Sequence, residues 1–176
     1  MKYTIKTFVS ALAFASVMLM TTAQASAQDL GFSIPDKETV EAQKKARDNK
    51  AASQSIGRAI MDAFELYEED KIKEAIAVLE EQEPDPGYDS AYLARFLGNL
   101  YAADERMGDA LSVLKSAVDQ DVLGWNDQAA AMKLVGQISL QEEKYEQSLE
   151  YLRKWVQFTG ERDAQVFLYM ANAHYQ

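Results

Sequence analysis

Small residues recur from residue 63 onward at a nearly constant interval. Four of them are separated by 35, 38 and 35 residues, and each of the first three is followed 12 residues later by another small residue. The first set is Ala63, Gly98, Gly136 and Ala171, and the second set is Ala75, Ala110 and Ser148. Self-similarity at such a period is typical of arrays of short structural units that pack closely on one another. The sequence therefore predicts a repeat architecture.

Apolar residues between these small positions recur at three- and four-residue spacing, which is the period of a helix and not of a strand. The chain has only three prolines, and none follows Pro86. The pattern predicts an all-α fold, an α-solenoid of about 3.5 antiparallel helical hairpins. The expected helices cover residues 54–68, 71–83, 89–103, 106–119, 127–141, 143–158 and 163–175. Acidic pairs mark the expected hairpin turns, at the start of each second helix, where the helix dipole favours negative charge.

The N-terminus has the layout of a secretory signal peptide. Lys2 and Lys6 precede an apolar stretch, Phe8 to Met20, and Ala25-Ser26-Ala27 supplies a small-residue cleavage site. The apolar stretch of 13 residues is short against the roughly 20 that span a bilayer, which disfavours a membrane anchor. We expect residues 1–27 to be cleaved, so that the protein is exported without stable membrane insertion.

Two regions are expected to follow the signal peptide. Residues 28–53 are predicted to form a charged arm, either disordered or helical, with residues 28–35 disordered. Residues 54–176 are predicted to form the helical repeat domain, whose last repeat is incomplete. The expected last helix carries Val166, Phe167 and Leu168 but has no second helix after it. Because solenoids normally end in a helix with a polar outer face, either the chain is a fragment or this helix is buried against a partner or a second subunit.

Charge and composition exclude several classes of function. The chain carries a net charge of −10, and the mature chain one of −12 because residues 1–27 contribute two lysines and no acid. Such a protein is repelled by phosphate backbones, so nucleic acid is not expected as a partner. There is no cysteine, and the single histidine, His174, lies on the apolar face of the last helix, where we expect it to pack. No metal, cofactor or catalytic residue is predicted, and the protein is expected not to be an enzyme.

Charge placement is the most informative functional feature of the sequence. Residues 91–103, 129–141 and 164–176, in the expected first helices, contain no Asp or Glu, and their only formal charges are Arg95 and Lys133. Residues four apart share a helix face, so Arg95 with Asn99 and Lys133 with Gln137 should point the same way, joined by Tyr92 and Asn172. These six residues predict a groove with cationic and amide donors for the backbone or carboxylates of an extended peptide. The alternative is that the two cations are ordinary solvated helix residues.

The period, the paired small residues and motifs such as Leu97-Gly98-x-x-Tyr101 resemble the tetratricopeptide (TPR) family. In TPR domains the first helices line the inner, concave surface. Arg95 and Lys133 on that surface resemble the carboxylate clamp of some peptide-binding members. The resemblance implies a protein-binding module.

A longer stretch is similar to periplasmic TPR proteins associated with TonB energy-transduction systems. It comprises Lys144-Tyr145-x-x-Ser148-Leu149-Glu150-Tyr151-Leu152-x-Lys154-Trp155 and the segment from Ala164 to Tyr175. The likeness covers residues 36–176. It implies a periplasmic scaffold that helps couple an inner-membrane motor to outer-membrane receptors. The alternatives are a scaffold for envelope or cell-wall assembly and the helical recognition part of a larger exported enzyme.

Overall fold

A computed structural model describes residues 31–47 and 50–176. The expected signal peptide, residues 1–27, lies outside these residues, as do residues 28–30 of the expected arm. No helix in the described ranges is both long enough and apolar enough to cross a membrane.

The described residues fold into helices without any strand, so the all-α class is confirmed. The repeat helices begin and end close to the positions expected from the sequence, except that α3 stops at Glu80 rather than near residue 83. The helices are α1 (Lys37–Ala46), α2 (Gln54–Glu68), α3 (Ile72–Glu80), α4 (Tyr88–Ala103), α5 (Met107–Asp119), α6 (Trp125–Gln141), α7 (Tyr145–Thr159) and α8 (Ala164–His174).

The small residues of the repeat pattern allow the two helices of each hairpin to pack closely. A Cβ atom added to Gly98 would lie 2.4 Å from Cγ of Leu114, and one added to Gly136 would lie 2.5 Å from Cδ2 of Leu152. Both leucines are fully buried. The hydroxyl of buried Ser148 also donates a hydrogen bond of 2.8 Å to the Gly136 carbonyl. In the second and third hairpins the spacing of small residues therefore corresponds to helix–helix contact points, whereas Ala171 of the last unit is exposed.

The turns inside the three hairpins, α2–α3, α4–α5 and α6–α7, share one conformation. Asp70, Glu105 and Glu143 each adopt a positive φ of 56–60°. In the central turn the N–H of Arg106 donates to the Tyr101 carbonyl at 2.8 Å, and the N–H of Glu105 donates to Ala102 at 3.2 Å. These are the paired bonds of a Schellman C-cap, in which glycine is the usual residue. The acidic residues thus end the first helix of each hairpin as well as preceding the second.

From α2 to α8, each helix packs on its neighbours in sequence, and the first helices of successive units also contact one another. The contacting pairs include α3 with α4, α5 with α6 and α7 with α8, together with α2 with α4, α4 with α6 and α6 with α8. Buried apolar side chains form one continuous cluster from Ile56 in α2 to Met170 in α8. One hairpin cannot bury its apolar face alone, so this stacking is what supplies the core.

Tyrosine hydroxyls tie successive units together inside this core. Tyr101 of α4 donates a hydrogen bond of 2.6 Å to Glu80 of α3, and Tyr151 of α7 donates one of 3.2 Å to Asp119 of α5. Burial, with the hydrogen bond to Glu80, raises the pKa of Tyr101 to about 12. Both tyrosines therefore stay neutral donors throughout the physiological pH range.

Residues 31–47, here called the N-terminal strap, include α1 and lie against the ends of later helices. Asp36 caps α1 by accepting from the Thr39 N–H at 2.8 Å. The strap approaches Gly160, at the C-terminus of α7, so closely that a Cβ there would lie 2.7 Å from Cγ2 of Val40 and 3.1 Å from the Pro35 carbonyl. Gly160 also has a φ of +68°, so this position requires glycine for two reasons. The described part of the charged arm thus contains a helix that contacts the repeats.

Candidate functional site

A pocket of about 330 Å³ lies between α2 and α4. Ile60, Phe64 and Tyr67 line it from α2, and Phe96 and Asn99 line it from α4. Phe64 is 56% exposed and Tyr67 is 44% exposed, values that are unusual for large aromatic side chains in a soluble protein. This pocket is a concave apolar feature on the surface formed by the first helices.

Phe64 occupies a repeated position whose other members are polar. It directly follows the small residue Ala63, just as Asn99, Gln137 and Asn172 follow the small residues of the later units. Its aromatic character and helical spacing indicate a core residue, and that interpretation is wrong because the side chain is largely exposed. The sequence did contain a signal that Phe64 is exposed, because the equivalent positions of the later units carry the polar amides Asn99, Gln137 and Asn172.

Arg95, predicted as a cationic donor of the groove, is engaged within the protein. Its Nη2 lies 3.0 Å from Oδ1 of Asp127, in the first turn of α6, and its Cζ lies 4.4 Å from the centre of the Phe96 ring. The Arg95 side chain is only 19% exposed. Arg95 therefore links α4 to α6 along the first-helix surface, and it contributes its stem and guanidinium face to the edge of the pocket.

Lys133 is engaged in an equivalent way one unit later. Its Nζ donates a hydrogen bond of 2.6 Å to Oδ2 of Asp163, the N-cap of α8, and lies 5.1 Å from the centre of the Trp155 ring. The hydrogen bond from Lys133, followed by that from the Gln165 N–H, lowers the pKa of the Asp163 carboxyl below its usual value. Both cations that were predicted as groove donors thus already have a carboxylate partner within the protein.

The first-helix acids that neutralise these cations follow a pattern of their own. Asp89, Asp127 and Asp163 lie at the starts of α4, α6 and α8, and each binds the unit before it. Asp89 accepts a hydrogen bond from the N–H of Ser53 at 3.0 Å, Asp127 forms an ion pair with Arg95 at 3.0 Å, and Asp163 accepts a hydrogen bond from Lys133 at 2.6 Å. The segments 91–103, 129–141 and 164–176 each begin just after one of these acids, which is why the charge count of the segments missed the pairing.

The remaining predicted residues are distributed along the surface. Tyr92 is half-buried between Tyr88, whose ring stacks at 5.4 Å, and Phe96, whose ring meets it edge-on at 5.0 Å. Asn99 lines the pocket and is exposed, as is Asn172 on α8, whereas Gln137 on α6 is half-buried. The structure therefore brings Arg95 and Asn99 together at one pocket and leaves the others on neighbouring stretches of the first helices.

Metal-ligating side chains do not cluster in the part of the chain that the structure describes. Among residues 31–47 and 50–176, no group of three or more His, Cys, Asp or Glu side chains is arranged to hold a metal ion. His174, expected to pack, is exposed at the end of α8 and meets the Tyr175 ring edge-on at 5.7 Å. Its prediction as a packing residue is wrong because its side chain is exposed, whereas the buried residues of α8 are Val166, Met170 and Ala173.

Compared with models of known protein families and with curated proteins, the chain gives no match. A functional assignment therefore rests on the repeat pattern, on the resemblance described above and on the geometry of the first-helix surface.

Proposed function

We propose that this protein is a TPR-type α-solenoid that is exported to the periplasm and binds an extended segment of a partner protein along its first helices, α2, α4, α6 and α8. The observation that carries the proposal is the exposed aromatic pocket between α2 and α4, which lies on a surface where Arg95 and Lys133 each already have a carboxylate partner. On this view the protein is a scaffold and not an enzyme.

Three features support the solenoid assignment. The same Schellman turn closes each hairpin, the small residues of the repeat coincide with close helix contacts, and each unit packs on the next. In repeat proteins of this kind, each helical pair contacts only its neighbours and buries its apolar face on the following pair.

The pocket favours a bulky apolar side chain of the partner. Phe64, Tyr67 and Phe96 supply aromatic walls, and burying a Leu or Phe side chain against them is worth about 1.5–3 kcal/mol. Aromatic residues in such pockets are the usual energetic anchors of protein interfaces. Glu68 follows Phe64 by one helical turn, so basic residues flanking the apolar anchor would also be favoured.

The row of amides supports binding of an extended backbone. Asn99, Gln137 and Asn172 occupy equivalent positions in successive units, and each carries both a donor and an acceptor, as a peptide group does. A partner carboxylate would have to displace Asp127 from Arg95 or Asp163 from Lys133. We therefore expect affinity to come from the apolar anchor and main-chain hydrogen bonds, with little dependence on salt.

The resemblance to TPR proteins of TonB systems supports a more specific role. The partner would then be a component of the inner-membrane motor or an outer-membrane receptor, and the scaffold would help couple the two. Helix α8 would contribute to assembly as well, through a partner or a second copy of the chain, since Leu168 is 67% exposed on it.

The proposal can be tested by photocrosslinking in cells followed by affinity measurements. A photoreactive residue at Asn99 should capture a defined partner, whereas one at exposed Ser112 on α5 should not. With the purified partner, Phe64→Ala should weaken binding at least tenfold, and Met61→Ala should change it less than twofold, because Met61 is 65% exposed on the same helix but outside the pocket.

The identity of the captured protein decides the role. Components of a TonB-type motor or its receptors would support the transport role, and cell-wall or assembly factors would discard it while retaining the binding surface. Equal losses for Phe64→Ala and Met61→Ala, or capture at Ser112 alone, would overturn the binding surface itself.

A further inference from the structure

A second cavity, of about 560 Å³, lies between the N-terminal strap and helices α5, α6 and α7. Arg47 lines it from the strap, Trp125 and Gln128 line it from α6, and Phe158 lines it from α7. Among the described residues it shares no lining residue with the pocket between α2 and α4. The proposed peptide-binding surface does not account for this cavity.

The guanidinium of Arg47 lines this cavity and makes two hydrogen bonds and one aromatic contact. Its Nε donates a hydrogen bond of 2.6 Å to the Leu123 carbonyl, and its Nη2 donates one of 2.8 Å to Oδ1 of Asp121. Its Cζ lies 5.1 Å from the centre of the Phe158 ring, whose other neighbour is the Trp125 ring at 4.1 Å. A carbonyl, a carboxylate and an aromatic face together match the planar, multi-donor shape of a guanidinium.

Gln128 provides a second, independent indication of a ligand. Its side chain is fully buried, and its Nε2 donates a hydrogen bond of 2.8 Å to the Val118 carbonyl, which establishes the orientation of the amide. Its Oε1 is then a buried acceptor that has no donor among the described residues. Gln128 lines the cavity, and a buried acceptor without a donor is costly, so a donor that reached Oε1 from the cavity would be stabilised there.

The strap that delivers Arg47 has no fully buried residue in the range 31–47. Phe32 and Ile34 pack against the core but are only half-buried, and helix α1 contains no buried residue. The Asp121 carboxylate that pairs with Arg47 is 68% exposed, whereas the Arg47 side chain is only 16% exposed. The site is therefore built into the repeats, and its present occupant comes from a segment without a fully buried side chain.

We propose that this cavity, lined by Asp121, Gln128 and the Trp125–Phe158 pair, is a binding site for an arginine side chain of a partner segment, which would also bond the Leu123 carbonyl that Arg47 now uses. Arg47 is its intramolecular competitor, and the partner's arginine takes its place when the strap moves away. The net charge of −10 favours such a basic segment. The site is independent of the peptide-binding surface on the first helices, and either can fail without the other.

A synthetic peptide of residues 31–47 carrying a fluorophore serves as the arginine-bearing probe. Its anisotropy is measured with the mature chain, with Arg47→Ala and with Arg47→Ala combined with Asp121→Asn. We expect Arg47→Ala to bind the peptide at least tenfold more tightly than the wild type, since the competitor has been removed. The double variant should lose that gain, and a peptide with citrulline in place of its arginine should bind none of the three proteins measurably, because citrulline has the same shape but no charge.

A small free guanidinium compound could bind the cavity through the same contacts as an arginine side chain of a partner segment. Arginine amide is therefore titrated against the bound peptide on Arg47→Ala. Competition only at concentrations at least a hundredfold above the peptide's dissociation constant would identify a segment as the ligand. Equal potency would identify a small guanidinium compound and overturn the assignment to a partner segment.

A measurement on the wild type covers the case in which Arg47→Ala unfolds. Saturating peptide should accelerate amide hydrogen exchange in residues 37–46, because the strap is displaced, and should leave α4 unchanged. Phe64→Ala should behave like the wild type, which separates this site from the first-helix pocket. Equal affinity of the wild type and Arg47→Ala for the peptide, binding that ignores the peptide's arginine, or exchange in α1 that does not respond to peptide would each overturn the proposal.

Discussion

The helical repeats and the N-terminal strap are held together by different kinds of contact. In the repeats, Leu114 and Leu152 are fully buried and each packs directly on a glycine of the opposite helix. In the strap, α1 has no buried residue, and the segment is held by Arg47, by half-buried Phe32 and Ile34, and by its approach to Gly160. The repeats therefore depend on many fully buried contacts that act together, and the strap depends on a few contacts that are only partly buried.

The two kinds of contact differ in what they contribute to stability. Disturbing a fully buried side chain typically costs about 2–5 kcal/mol, whereas a partly exposed ion pair contributes about 0–1 kcal/mol. Mutations in the repeats should therefore change global unfolding, and mutations in the strap should change local opening. The predictions below test this contrast, from the largest expected effect to the smallest.

Gly136→Val should lower the free energy of unfolding by about 3 kcal/mol, because its side chain would enter the space of buried Leu152. The measurement is equilibrium urea unfolding followed by circular dichroism. Gly108→Val on α5 is the matched control, since nothing lies within 4 Å of a Cβ at that position, and it should cost less than about 1 kcal/mol. Similar losses for the two variants would contradict the close-packing account.

Two glycine-to-alanine changes should have opposite signs. Gly98→Ala should destabilise by about 1–2 kcal/mol, because the clash with Leu114 outweighs the better helix propensity of alanine. Gly57→Ala in α2 meets nothing within 4 Å and should stabilise by up to about 1 kcal/mol. Thermal unfolding of both variants measures the difference, and a stabilising Gly98→Ala would refute it.

Arg47→Ala should reduce the global free energy of unfolding by less than about 1 kcal/mol, since the contact is a partly exposed ion pair on a weakly packed segment. Hydrogen exchange in residues 37–46 should nevertheless accelerate, while exchange in α4–α7 should not change. Arg58→Ala, at an exposed position of α2, serves as the control and should leave α1 unaffected. Loss of protection throughout the repeats would mean that the strap is an integral part of their core.

Asp163→Asn should have the smallest effect, and that effect should depend on pH. The Asp163 carboxyl has a pKa lowered from the ordinary value of 3.8, so its ionisation stabilises the folded state above that pH. This contribution is lost as pH falls through the lowered folded-state pKa. Asparagine keeps the helix-capping oxygen, so the variant should be less stable than the wild type at pH 7 and indistinguishable from it near pH 2. A difference that is equal at both pH values would argue against the ion pair with Lys133.

The first-helix surface illustrates how far the sequence alone could lead. The positions of Asn99, Gln137 and Asn172 in successive units followed from the repeat register, and the structure has them on α4, α6 and α8. The partners of Arg95 and Lys133 did not follow from it, because Asp127 and Asp163 are 32 and 30 residues away in sequence. Contacts at that separation depend on how one unit is rotated against the next, and local periodicity does not encode that rotation.

The conformation of the turns could not be predicted from the sequence either. Acidic pairs correctly marked the turns inside the hairpins, but nothing in their composition indicated a left-handed residue at Asp70, Glu105 and Glu143, where glycine is usual. The Schellman bonds and the packing of the flanking helices hold these residues in that conformation. A local preference was thus overridden by the tertiary context.

The sequence by itself determined the all-α class, the helix positions and the register of the repeats, because helical periodicity and small residues at fixed intervals are local signals that every unit repeats. Only the tertiary structure decided that Phe64 is exposed at a pocket, that Arg95 and Lys133 each pair with a carboxylate, and that Arg47 reaches the carbonyl of Leu123. Each of these results comes from a single contact between distant segments, and such a contact leaves no periodic trace in the chain.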